Sequence, residues 1–206
     1  MLKQGHSLIF SWGEAGTVLW LSLCVSYFFL YRASELFAYS KGKIHKDIGL
    51  TRGDIAFKRG ETQLHKHAEW QTADSVEVRF KAHQGDQKRR GVVLSRNRAV
   101  AQPNKQAVDI GQSLGAQGGG LEIMTALMLV HPELDANAPL TRYASHSKWR
   151  VWTREQATTA LRELVRQHGV NPSEYALHSG RIGGVTPLAS AGILPDVIQR
   201  EDRWRS

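Results

Sequence analysis

Residues 17–31, TVLWLSLCVSYFFLY, constrain this chain more than any other stretch. So nearly unbroken an apolar run has to leave water, and the rest of the chain must cover it. Crossing a bilayer takes roughly 20 apolar residues. This run is shorter, carries Thr17, Ser22 and Ser26, and passes straight into Arg32 and Glu35. A signal peptide fits no better, because Lys3 is a weak basic start and polar residues interrupt the early stretch after it. The run therefore reads as a core helix inside a helical region over 8–40. A helix that is apolar all round belongs in an interior.

The rest of the 206-residue sequence can supply that interior. Hydrophobic residues make up 41% and charged residues 22%, ordinary values for one folded domain. Cys24 is the only cysteine, which rules out a disulfide framework and a cysteine metal site. It fits a reducing compartment, nuclear or cytoplasmic. The nine histidines are scattered, and His65 and His67 have no carboxylate cluster of ligand type beside them, so no metal or other cofactor is expected. The net charge of +8 and pI near 9.8 favour a polyanionic partner, either nucleic acid or an anionic membrane face.

Local patterns predict a mainly helical α+β domain with one small antiparallel sheet. Residues 41–60 read as a basic connection in which Ile48, Leu50, Ile55 and Phe57 make a short strand or two. VEVRF (76–80) alternates apolar and polar residues, and VVLS (92–95) can pair with it as a hairpin. Residues 99–120 read as a loop, 121–130 as an apolar helix stopped by Pro132, and HPELDANAP as another loop. Thr153 and Gln156 have capping-box spacing before a helix whose face is Ala157, Ala160, Leu161, Leu164 and Val165, ended by Gly169. NPSEY is a turn, a helix starts near His178, and a short one follows Pro195.

Three patches carry chemistry. In HSGRIGG (178–184), His178 and Arg181 stand three apart and share a helix face near its start. Helix N-termini suit phosphate, arginine's fork can hold two phosphate oxygens, and histidine can move a proton near neutral pH. Near the end, IQREDRW (198–204) surrounds Trp204 with arginines, and an indole N–H can donate to phosphate. The third patch, residues 76–98, holds Arg79, Lys81, Lys88, Arg89, Arg90, Arg96 and Arg98 against only Glu77 and Asp86. A basic hairpin of this kind can lie along DNA and contact its backbone, with steep salt dependence.

The box HSGRIGG, followed by the apolar ASAGI and by IQREDRW, resembles the C-terminal active-site box of the tyrosine recombinase (phage integrase) family. It is most similar to the members found in eukaryotic mobile elements. YRASEL (31–36) resembles the family's first box, and VRFKAHQGDQKRRG (78–91) its lysine-bearing hairpin. The resemblance implies a recombinase catalytic core over 1–206, with no N-terminal DNA-binding domain. It implies that Arg32, His178, Arg181 and Trp204 hold the scissile phosphate without a metal, with Glu35 bracing Arg32. Arg79, Arg89, Arg90 and Arg96 become DNA contacts. The partner implied is double-stranded DNA, with self-association on it and no membrane.

Four departures stand against full activity. Gln84 occupies the expected lysine position, and glutamine cannot protonate a leaving oxygen; Lys81 and Lys88 flank it. Pro187 falls inside the predicted helix, at a cost of about 3 kcal/mol unless the helix bends. Asp202 stands where glycine precedes Arg-Trp. The family's nucleophile is a tyrosine after that pair, and all five tyrosines here precede it. The expectation is a C-terminally truncated recombinase domain, a DNA strand transferase in its resemblance that binds DNA for recombination or integration but does not cleave it. The alternative is a non-catalytic basic DNA-binding module or a mobile-element remnant.

Overall fold

The structure is a computed structural model and describes residues 12–39, 43–45, 48–81, 91–98 and 119–202, with side chains to Gln199. The class is α+β. The apolar run forms helix α1 (Gly13–Phe28), whose Val18, Leu19, Leu21 and Val25 are buried. No helix among the described residues is long and apolar enough to cross a membrane.

The expectation of one helical region to residue 40 is corrected here. Helix α1 ends at Phe28, and Leu30 takes the left-handed conformation at φ 53°. The Tyr31 N–H then reaches back to the Ser26 carbonyl at 3.1 Å, closing the helix end in the manner usually served by glycine. Arg32 is extended and begins a new turn, α2 (Ala33–Leu36), because the Glu35 carboxylate accepts the Arg32 N–H at 2.7 Å. What holds Leu30 in a conformation that normally costs about 1 kcal/mol or more is its burial, at 2% exposure, among core side chains.

A four-stranded antiparallel sheet covers one side of this unit. Its strands are β1 (Ile55–Arg59), β2 (Thr62–Leu64), β3 (Ser75–Phe80) and β4 (Val92–Asn97), in the order β2-β1-β3-β4. The predicted hairpin is present as β3 and β4, registered from Ser75 opposite Asn97 to Phe80 opposite Val92. Val76, Val78 and Phe80 face inward, and Tyr31 stacks on Phe29 and meets Phe80 edge-on, with ring centroids 5.4 and 5.3 Å away. Of the basic connection, Ile55 and Phe57 lie on β1, after a short 3-10 turn at Arg52–Asp54.

Helix α3 (Gly120–Val130) packs on α1, where Gly120 meets Phe28 and Phe29, and its Leu121, Met124 and Leu127 are buried. The expected loop over 99–120 lies almost wholly outside the described residues. A second hairpin, β5 (Arg142–Ser145) and β6 (Lys148–Val151), leads into α4 (Arg154–Gln167), which is capped by Thr153 and Gln156 as the spacing predicts. Helices α5 (His178–Ser190) and α6 (Pro195–Asp202) close the described chain. Helix α5 continues through Pro187, which lies inside the helix and cannot donate to the carbonyl of Gly183.

Cys24 sits half-buried on α1, and burial pushes its thiol up to about 12. Near pH 8 its thiolate fraction is then on the order of a thousandfold below that of an ordinary cysteine. Iodoacetamide should therefore modify the native protein more slowly than the urea-unfolded chain, by less than that factor because a more basic thiolate is the stronger nucleophile. Equal rates in the two states would mean that this face of α1 is open to solvent.

Candidate nucleic-acid interface

In the fold HSGRIGG comes to rest on residues 26–30, the stretch that precedes YRASEL in the chain. Helix α5 lies across the C-terminal end of α1, and its glycines make the approach. The space a Cβ would take at Gly180 is 3.4 Å from Ser26 Oγ, and at Gly183 it is 3.6 Å from the Tyr27 ring. At Gly184 that space is already filled, by the Tyr27 carbonyl oxygen at 2.3 Å and by Leu30 Cδ2 at 2.6 Å. The first two turns of α5 therefore rest on residues 26–30, directly before Arg32.

Arg32 is a partly exposed side chain, 18% accessible, and its partner Glu35 is buried at 2%. The predicted i, i+3 pair exists at 4.0 Å from guanidinium to carboxylate, and Glu35 also makes a tighter contact. The tighter one is to the Arg32 backbone N–H. Glu35 thus fixes where Arg32 leaves the backbone, and its charge is held close to the guanidinium.

On α5, Leu177, Arg181 and Gly184 form the inward face, and Arg181 is only 5% exposed. A guanidinium kept out of water must be hydrogen-bonded and is held in one place by its surroundings. His178, one turn earlier, is exposed. The pair thus combines a fixed, inward cation with an accessible imidazole at the start of a helix. Such an arrangement suits a single oxyanion, because the helix end adds partial positive charge. A second buried arginine, Arg52, serves the interior instead. It donates to the Met128 carbonyl oxygen, and burial pushes it down to about 10 against the opposing pull of Glu133.

The basic hairpin is used differently from the sequence expectation. Arg96 turns toward α1 rather than outward: its Nε donates to the Phe28 carbonyl at 3.1 Å, and its guanidinium lies 5.4 Å from the Phe29 ring centroid. It caps the negative end of α1. Arg98 donates to the carbonyls of Ala73 and Gln71 and pairs with Glu122 at 3.2 Å. Lys81 pairs with Asp54 at 2.9 Å and donates to the Gly49 carbonyl at 3.1 Å. Arg79 is exposed on β3. Gln84, Lys88, Arg89, Arg90 and Trp204 lie outside the described residues, as does the side chain of Asp202.

Among the described residues no cluster of three histidine, cysteine or acidic side chains could hold a metal. Sequence reading missed the β5–β6 hairpin and its exposed Lys148, Trp149 and Arg150. Its turn uses His146 and Ser147 at φ 48° and 61°, without the Asn-Gly that usually announces two positive φ angles. Comparison of the chain with protein-family models and with curated proteins returns no match.

Proposed function

We propose that this chain is a DNA-binding domain of the tyrosine-recombinase kind, which seats a backbone phosphate where the start of α5 meets the α1–α2 junction. Arg181 and Arg32 supply the charge, His178 the exposed proton-carrying group, and Trp204 a further donor. The observation that carries this reading is the contact of Gly184 with Tyr27 and Leu30, which sets the His178–Arg181 turn against the segment leading into Arg32. A plain surface ion pair would not need a carboxylate as deeply buried as Glu35. Recombination or integration is the process such a site would serve.

The test is anisotropy of a short fluorescein-labelled duplex titrated with the 206-residue polypeptide. If Arg32, Arg79, Lys88, Arg89, Arg90 and Arg181 all meet phosphates, affinity should fall by roughly a thousandfold between about 50 and about 200 mM salt. No binding at low salt would sink the reading. A second reading, a basic module without a phosphate pocket, is favoured by the inward use of Lys81, Arg96 and Arg98. Under it, Arg32→Ala and Arg181→Ala would weaken duplex binding only slightly.

A further inference from the structure

The β5–β6 hairpin and Tyr39 enclose an open groove of about 750 Å³, whose walls include Tyr39, Arg142, Trp149, Arg150 and Gln156. That volume lies within the range of sites that hold a small organic ligand. Two features set it apart from ordinary surface. The first is exposed aromatic rings: Tyr39 is 57% accessible and Trp149 43%. Tyr39 is fixed beside the hairpin by its neighbour Ala38, whose N–H donates to the Trp152 carbonyl at 3.0 Å and whose carbonyl accepts from Arg154 at 2.8 Å. The Trp149 ring is held by Arg142, with the guanidinium carbon 5.1 Å from its centroid, and by the His131 ring 4.7 Å away at 84°.

The second is charge. Arg142, Lys148 and Arg150 form no ion pair with any acidic group among the described residues, while Glu155 is the one carboxylate on the wall. Arg142 and Arg150 line the groove together with the two rings.

We propose that this groove binds an unpaired nucleic-acid strand, with bases stacking on Tyr39 and Trp149 and phosphates meeting Arg142 and Arg150. Base faces are reachable only when unpaired, since a duplex buries them against one another. Stacking is sequence-tolerant, because every base offers a π-face. Arginine forks suit the phosphates between bases. An acidic peptide would engage the cations but leave both rings unmatched. The proposal does not rest on the duplex reading, which uses other residues.

The experiment measures binding of fluorescein-labelled oligo(dT), of an abasic strand of equal length and of a duplex, to the wild-type chain and to Tyr39→Ala, Tyr39→Phe and Trp149→Ala. Each alanine variant should weaken oligo(dT) binding roughly tenfold, with Tyr39→Phe close to wild type. Binding of the abasic strand and of the duplex should be unmoved. Tyr39 is an exposed ring, so its variants keep the test readable if Trp149→Ala folds poorly. Absence of oligo(dT) binding overturns the proposal. So does oligo(dT) affinity that ignores Tyr39→Ala, or equal losses for abasic strand and oligo(dT). Failure of duplex binding alone leaves it standing and counts only against the phosphate site on α5.

Discussion

Gly184→Ala is expected to lower the melting temperature by about 4–8 °C, while Gly180→Ala and Gly183→Ala leave it unchanged or raise it slightly. All three glycines belong to one short box, and all three lie in α5. Alanine is the better helix former by about 1 kcal/mol, so propensity alone would make every one of these changes stabilising. Space separates them. New methyls at Gly180 and Gly183 would meet Ser26 Oγ and the Tyr27 ring at ordinary contact distances. At Gly184 the methyl would fall 2.3 Å from a backbone carbonyl oxygen and 2.6 Å from Leu30. Neither neighbour can yield cheaply, since the carbonyl belongs to α1 and Leu30 is buried at a positive φ. Overpacking of this severity costs about 3 kcal/mol. Set against the propensity gain, the net loss of about 2 kcal/mol corresponds to the stated shift for a chain of this size. Duplex affinity should fall with it, because α5 can relieve the clash only by moving off the end of α1, and Arg181 moves with it. Thermal melts of the three variants decide the matter, and identical behaviour at the three glycines would mean that α5 does not lie on α1 as described.

The same contrast shows which parts of the molecule could be read from sequence. Helix α4 was legible because Thr153, Gln156 and an apolar stripe state both its start and its face. Strand β3 was legible because VEVRF alternates, and its burial follows that alternation. The end of α1 was not legible. It is made by Leu30 at a positive φ and by Glu35 reaching back to the Arg32 N–H, and neither needs the glycine or proline that marks most helix ends. The β5–β6 turn escaped for a related reason, with His146 and Ser147 in conformations that sequence assigns to asparagine and glycine.

Charge was legible as composition but not as use. Local excess in the hairpin region suggested a DNA-facing surface, yet Lys81, Arg96 and Arg98 find acceptors far along the chain, at Asp54, Phe28 and Ala73. Long-range partners leave no periodic trace, so a run of cations cannot say which of them face solvent. For the candidate phosphate site the reverse holds. The HSGRIGG pattern singled out Arg181, and the fold adds what the pattern could not: an exposure of only 5% and a position over the helix end that leads into Arg32.

That burial makes Arg181→Met the sharpest test of the proposed function. Methionine keeps most of the side-chain volume and removes the charge, so the packing of α5 on α1 should survive. If the guanidinium holds a phosphate, the variant forfeits charge-assisted hydrogen bonds worth about 1.5–3 kcal/mol, a loss of roughly ten- to a hundredfold in duplex affinity. The salt slope should fall by about one unit, since one phosphate contact is gone. His178→Ala, at an exposed position, should cost less and leave the slope nearly as it was. The competing role is a brace for the interior. In that case removing a buried charge from its partners costs about 3–5 kcal/mol, and the melting temperature falls by roughly 6–20 °C. Measuring stability and binding on the same preparation separates the two, because a brace moves the first and a phosphate ligand the second. A large drop in melting temperature, with wild-type affinity and slope in the fraction that stays folded, would assign Arg181 to the core and remove the phosphate site.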